Sequence, residues 1–165
     1  MVRSAALNFI GNRAARLAAI AGFLVAAPAA WADPPTPFVM TTEISFPAGN
    51  GVFYVQEPSW ICPTGVFENL RELATPPTSR GAFTVTAVVK YTCADGSGTF
   101  ITQPHPQGNY GNYGNGFAVS GPWSFLPGGT GDYTNLRGHG EMGFNFITFD
   151  PVTGTETFVG LVQSN

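Results

Sequence analysis

Apolar and polar side chains alternate along most of the chain beyond residue 37, and this period of two is typical of β-strands with one buried face. The clearest case is Ala82–Cys93, where every second position from Phe83 to Cys93 is apolar. Similar runs between turn residues predict six further strands, at 38–46, 52–56, 99–103, 117–126, 139–149 and 155–163.

The segment Val66–Ala74 is ambiguous, because its charges and leucines fit a short helix. The flanking β pattern favours a strand, and Pro76-Pro77 ends the element in either case.

Clusters of glycine, proline and asparagine separate the predicted strands and indicate turns. We predict a hairpin turn at 95–98, a tight turn at 128–131, and a bulge or an edge position at Gly121-Pro122. The segment 104–116 is rich in Gly, Asn and Tyr and repeats Asn-Tyr-Gly, so we expect a long exposed loop.

About eight strands in meander order, without a clear helix, predict an all-β domain built as a small antiparallel barrel or a sandwich. The barrel is preferred because the chain lacks the tryptophan between two paired cysteines that marks many sandwiches.

The first 32 residues differ from the remainder. Three arginines precede an apolar run, Leu17–Ala27, which is followed by Pro28 and by the small-x-small triplet Ala30-Trp31-Ala32. This order is typical of a cleavable bacterial signal peptide, and the run is shorter than the about 20 residues of a membrane-spanning helix. We therefore predict a signal peptide helix at 1–32, a proline-rich leader at 33–37 and one barrel domain at 38–165. The mature protein is expected outside the cell, without a stable membrane anchor.

Export changes the interpretation of the two cysteines. Cys62 and Cys93 both lie in the mature chain, and an isolated pair outside the cytoplasm usually forms a disulfide. Neither CxxC spacing nor a histidine beside a cysteine indicates a metal or redox site.

The mature chain has four basic and ten acidic residues, a net charge of −6. Such a surface repels phosphate backbones, so nucleic acid is not an expected partner. No nucleotide, haem or Gly-x-Ser-x-Gly motif is present, and we expect no cofactor.

The segment Gly128–Gly140 (GGTGDYTNLRGHG) resembles the GGTG-x-[FY]-x-x-[AL]-R-G signature of plant dirigent proteins and, more loosely, of allene oxide cyclases. It is also similar to small secreted bacterial proteins of the same barrel type. The resemblance implies an eight-stranded barrel, often trimeric, with an apolar or mixed lumen. It also implies that Tyr133 packs inward and that Arg137-Gly138 opens the next strand.

Candidate ligand-binding residues follow from this segment. Arg137, His139 and Glu141 share one face of a predicted strand, opposite a face with Met142 and Phe144. The polar row faces either solvent or a subunit partner, or else it points into the barrel mouth, where His139 could act as an acid or base oriented by Glu141. The full set of candidates is Asp132, Tyr133, Arg137, His139, Glu141, Tyr110 and Tyr113.

Tyr110 and Tyr113 are included because exposed aromatic rings on a loop can stack on sugars or cover a barrel mouth. The alternative is a linker without a ligand. His105 lies between two prolines with no nearby carboxylate in sequence, so we predict no metal site there.

Three functional hypotheses remain open. The leading one is a secreted barrel that binds a small apolar or amphipathic molecule, since eight strands can enclose one small ligand. The others are a structural or interaction module of the cell envelope without a ligand, and a dirigent- or cyclase-like enzyme without a cofactor. A homo-oligomer is compatible with each of them.

Overall fold

In a computed structural model of the chain, residues 34–45, 48–113, 116–149 and 152–164 are described, except for the side chains at 110–118, 146–149 and 152. These residues form nine strands: β1 (Thr36–Ser45), β2 (Asn50–Glu57), β3 (Thr64–Ala74), β4 (Ala82–Cys93), β5 (Gly98–Pro104), β6 (Gln107–Tyr113), β7 (Gly116–Gly131), β8 (Arg137–Phe149) and β9 (Val152–Gln163). The described residues include no helix of the length and apolarity that a membrane crossing needs. The predicted signal peptide lies outside the described residues.

The strands form a closed antiparallel barrel. Each strand pairs with the next along the chain except β5, which pairs with β7, and β9 returns to pair with β1 from Thr36↔Val162 to Ser45↔Thr153. Eight strands make the ring, and β6 is an additional strand that pairs with both β4 and β7 beyond the end of β5. The prediction of a small antiparallel barrel is confirmed, and the sandwich is excluded.

Most strand predictions hold, including β4 at its predicted bounds and a strand at the ambiguous segment 66–74. β1 begins at Thr36, so the end of the proline-rich leader belongs to the barrel. The pairing of β7 with β8 passes through Gly121-Pro122 without a register shift, so no bulge forms there. The edge position is also wrong, because the Pro122 carbonyl accepts a hydrogen bond from the His105 N–H on the other side of β7.

The loop predicted at 104–116 is wrong for residues 107–113, which form β6. This strand has neighbours on both sides, since Gly108 lies opposite Phe83 of β4 and Val119 of β7. A Cβ at Gly108 would come within 2.2 Å of the Phe83 ring, so glycine permits the close packing that pairing requires. Tertiary pairing thus overrides a composition that by itself disfavours strands.

The turn predicted at 128–131 is displaced toward the C-terminus. Residues Gly128–Gly131 remain in β7, because Thr130 and Gly131 pair with β5, and the turn falls at 132–135. Gly131 has a φ of 60°, a left-handed conformation that glycine adopts without strain.

One half of the barrel interior is filled by aromatic side chains. Their ring centroids lie between 4.8 and 5.9 Å apart, mostly in edge-to-face or tilted arrangements. The group, here called the aromatic plug, consists of Phe38, Phe53, Tyr91, Phe100, Trp123, Phe125, Tyr133 and Phe158.

The disulfide predicted between Cys62 and Cys93 is confirmed, with an S–S distance of 2.02 Å, and it lies at the plugged end. Beside it, the backbone N–H of Cys62 donates a hydrogen bond to the Tyr133 hydroxyl at 2.8 Å. Tyr133 is only 3% exposed, so the inward packing that the resemblance implied is present. The bridge and this hydrogen bond hold the β2–β3 connection against the plug.

Trp123 ties β8 to β9 from within the barrel. Its indole N–H lies 3.1 Å from the carbonyl oxygen of Glu141 and 3.2 Å from that of Val159. Gly140 and Gly160 are paired beside it, and a Cβ at Gly160 would lie 2.2 Å from a backbone oxygen of β8. The close approach of the two strands therefore depends on glycine at this position.

Candidate functional site

The half of the barrel away from the disulfide encloses a cavity of about 700 Å³. Its wall is mainly apolar because alternate residues of the strands point inward. Prominent wall residues are Phe67, Phe83, Ala87, Val89, Met142 and Phe144. The aromatic plug closes one end, so the lumen is filled in one half and hollow in the other.

Strand β4 shows how the cavity arises. Its inward positions change from the large Tyr91 in the plug to Val89, Ala87 and Val85 along the cavity. The small side chain at Ala87 leaves space in the middle of the wall. The loop after β3 contributes Thr75, Pro76 and Pro77 to the same cavity.

Glu156 is the inward-facing carboxyl on β9, and it lines the cavity. It pairs in register with Thr42 of β1, whose hydroxyl donates a hydrogen bond to Glu156 Oε2 at 2.8 Å. Burial raises the pKa of Glu156 to about 7, because an apolar environment disfavours the charged form. The Thr42 hydrogen bond opposes this rise in pKa, and the negative charge of Glu72 adds to it.

Three further hydroxyl groups, one of them on Tyr91 of the plug, lie near Glu156. Thr42 and Thr102 are fully buried, and so is Tyr91. Burial, with a smaller effect from the charge of Glu156, holds the pKa of Tyr91 far above its ordinary value, and the neighbouring Thr102 hydroxyl acts in the opposite direction. Among the described residues, neither the Tyr91 hydroxyl nor the Thr102 hydroxyl has a partner with full hydrogen-bond geometry. Together with Glu156 these residues form a polar floor beneath the cavity.

The floor determines what the cavity can do chemically. Its carboxyl changes charge near neutral pH, so it can accept a hydrogen bond from a bound molecule, pair with a cation or exchange a proton. Most of the remaining wall is apolar, and the other polar lining residues, Asn69, Glu72 and Thr75, lie on β3 and the loop after it.

No family model, curated protein or solved structure matches the chain. The resemblance of Gly128–Gly140 to dirigent proteins and allene oxide cyclases therefore stays a prediction from the sequence.

The structure places the predicted row Arg137, His139 and Glu141 on the outer face of β8, where all three residues are exposed. Arg137 and His139 border a separate surface pocket of about 180 Å³, and none of the three lines the large cavity. A role for this row in ligand binding stays a prediction.

Asp132 is exposed in the turn before β8, while Tyr133 is buried in the plug. The side chains of Tyr110 and Tyr113 lie outside the described residues. His105 is exposed, and its Nδ1 lies 3.1 Å from the Thr86 hydroxyl. Among the described residues, no three His, Cys, Asp or Glu side chains come together as a metal site.

Sequence reasoning missed Glu156 and Thr42, although a signal was present. In the predicted strand 155–163, Glu156 is in phase with Phe158, Gly160 and Val162. An acidic residue on the apolar face of a strand is unusual, since ionised carboxyls are rarely buried without a partner. That phase marks Glu156 as a candidate site residue.

Proposed function

We propose that this chain is an exported binding protein that holds one small apolar or amphipathic molecule in its barrel lumen. The observation that carries the proposal is the apolar cavity of about 700 Å³ above the polar floor. Pockets for small ligands usually have volumes of about 300–1,000 Å³, with apolar walls and few polar groups.

The construction of the barrel supports this function. The disulfide, the aromatic plug and the closed ring of strands fix the cavity before any ligand arrives. A preformed site binds more tightly, because little conformational entropy is lost on association. Burial of an apolar ligand is favourable by about 25 cal/mol for each Å² removed from water.

A bulky substitution in the cavity wall tests the proposed binding site. Ala87→Trp places a large ring into the lumen, whereas Val88→Trp adds the same ring to the next residue of β4, outside the cavity lining. We expect the wild-type protein and Val88→Trp to bind the neutral apolar dye Nile red with increased fluorescence, and Ala87→Trp to lose most of that binding. Thermal unfolding of each variant controls for folding. Equal dye binding by a folded Ala87→Trp variant would refute binding in the lumen.

Export is part of the proposal and has its own test. The basic head, the apolar run and the Ala30-Trp31-Ala32 triplet support cleavage after Ala32. Intact-mass measurement of the protein from culture medium should give a chain that begins at Asp33 with its disulfide formed. Retention of the full chain in the cell fraction would contradict this.

A proton-transfer enzyme is the second candidate, favoured by Glu156. A carboxyl whose pKa is raised to about 7 in an apolar cavity has the properties of a general acid or base. Isomerisation or ring closure of a bound molecule would need no cofactor. Chromatography of candidate ligands after incubation should then reveal an isomer of unchanged mass, which Glu156→Gln no longer forms. Recovery of every ligand unchanged would contradict the enzyme and leave ligand binding as the proposed function.

A further inference from the structure

The charged residues among the described lining of the cavity are all acidic. Glu156 lies at the floor, and Glu72 of β3 lines the same cavity. No lysine, arginine or histidine is among the described lining residues. His105 lies between two lining prolines, but its ring contacts Thr86, which is not part of the lining.

The two carboxyls interact, because the charge of Glu72 disfavours ionisation of Glu156. A cation placed near them removes that repulsion and compensates for the desolvation of Glu156. A carboxylate in the same place would add a third negative charge in a medium of low dielectric constant.

Glu156, which lines the lumen, also has hydrogen-bonding capacity left for a ligand. Thr42 donates to Oε2, and no hydrogen bond from a described residue reaches Oε1. Oε1 can therefore accept a hydrogen bond from a donor in the lumen. An ammonium group supplies both the donor and the positive charge, and such charge-assisted bonds are about twice as strong as neutral ones.

We propose that the ligand is a cationic amphiphile, an apolar body with a single amine whose ammonium group binds Glu156 while the body lies along the apolar wall. This inference rests on the proposed binding function and specifies the chemistry of its ligand. The acidic floor and the Thr42-held carboxyl select against fatty acids and other anionic lipids.

Three probes with the same chain separate the possibilities: decylamine, decanol and decanoate. Decylamine and decanoate are titrated below their micelle concentrations, and decanol below its solubility limit, against Nile red bound to the full mature protein near pH 8. We expect decylamine to displace the dye at concentrations about tenfold lower than decanol, since a charge-assisted bond replaces a neutral one. Decanoate should be the weakest competitor.

Two variants assign the preference to the floor. In Glu156→Gln the affinity ratio of decylamine to decanol should fall to about one. Glu43→Gln removes the same charge from an exposed position of β1 and should keep the wild-type ratio. A ratio retained in Glu156→Gln, or decanoate binding as tightly as decylamine, would overturn the inference.

If the proposed binding function itself is wrong, the dye experiment gives a different result. If Nile red binds equally to wild type and to a folded Ala87→Trp variant, the lumen is not the binding site and both proposals fail. If Ala87→Trp abolishes dye binding but the three probes compete equally, the lumen binds ligands without regard to charge, and only the amine preference is wrong.

Discussion

Replacement of Glu156 by glutamine should stabilise the barrel at neutral and alkaline pH while leaving its stability in acid unchanged. Glutamine has nearly the same shape and keeps an oxygen that can accept the Thr42 hydrogen bond. It cannot ionise, so the folded protein no longer holds a charge in the apolar cavity. The difference in the free energy of unfolding between the variant and wild type therefore measures how much that charge destabilises the folded protein.

The size of the effect follows from proton linkage. Glu156 has a pKa of about 7 in the folded chain, against about 4.3 for glutamate in an unfolded one. Below about pH 4.3 both states are protonated, and the charge costs nothing. Between about pH 4.3 and 7 only the folded state keeps its proton, so wild-type stability falls as pH rises. Above pH 7 the loss is complete.

At about 1.4 kcal/mol for each pKa unit, the full shift corresponds to about 4 kcal/mol. Because the Glu156 side chain is partly accessible to solvent, we expect about 2–3 kcal/mol to be measured. The steepest change in wild-type stability, on the order of 1 kcal/mol per pH unit, should lie between about pH 5 and 6.5.

Urea unfolding measured at several values between about pH 4 and 8 tests this directly. Glu156→Gln should equal wild type near pH 4 and exceed it near pH 8. The difference between the two proteins also removes the contributions of other titrating groups. Glu43→Gln, an exposed carboxyl one residue from Thr42, should show no comparable gain. A Glu156→Gln variant no more stable than wild type near pH 8 would refute the prediction that a buried charge at Glu156 destabilises the folded protein.

Three further predictions concern the plugged end and the close strand approach. Replacing both Cys62 and Cys93 by alanine should lower the free energy of unfolding by about 3–4 kcal/mol, because the bridge closes a loop of 31 residues, and a reductant should reproduce this loss in the wild type. Tyr133→Phe should cost about 1–3 kcal/mol in urea unfolding by leaving a buried backbone N–H without its acceptor, and an unchanged midpoint would contradict that role. Gly160→Ala should lower the melting temperature because its Cβ would strike the backbone of β8, whereas Gly143→Ala, which has no atom within 4 Å, should leave it nearly unchanged.

Much of the fold was predictable because alternation is a local property. In β4 the apolar phase from Phe83 to Cys93 identified both the strand and its buried face, and the structure agrees with both. The disulfide was predictable because the mature chain has only two cysteines. Neither inference needed knowledge of distant contacts.

The strand β6 was not predictable by the same means. Glycine and asparagine, which make up most of 107–113, disfavour strands, and the strand exists because β4 and β7 both pair with it. The extension of β7 through Gly131 has the same origin, since its pairing partner is β5. Non-local hydrogen bonds of this kind leave no periodic pattern in the sequence.

The cavity depends on a property that alternation cannot supply, namely the end of the barrel at which an inward side chain lies. In an up-and-down barrel the start of β1, the end of β4 and the start of β5 lie at one end, so Phe38, Tyr91 and Phe100 meet in the plug. Assigning residues to ends therefore requires the direction of every strand.

The direction of β6 relative to β5 decides at which end of the barrel Glu156 lies. It continues β5 in the same direction past Pro104, so the two count as one strand in the alternation of directions. Had 107–113 formed a separate strand running back beside β5, β7, β8 and β9 would all be reversed. Glu156 would then lie at the disulfide end, among the aromatic rings, and not beneath the cavity. With the loop that the sequence predicts at 104–116, β9 has the direction that it has in the structure, so both the phase of Glu156 and its end of the barrel could be derived from the sequence. The hollow at that end could not be derived, because it depends on how the side chains of all strands fill the lumen.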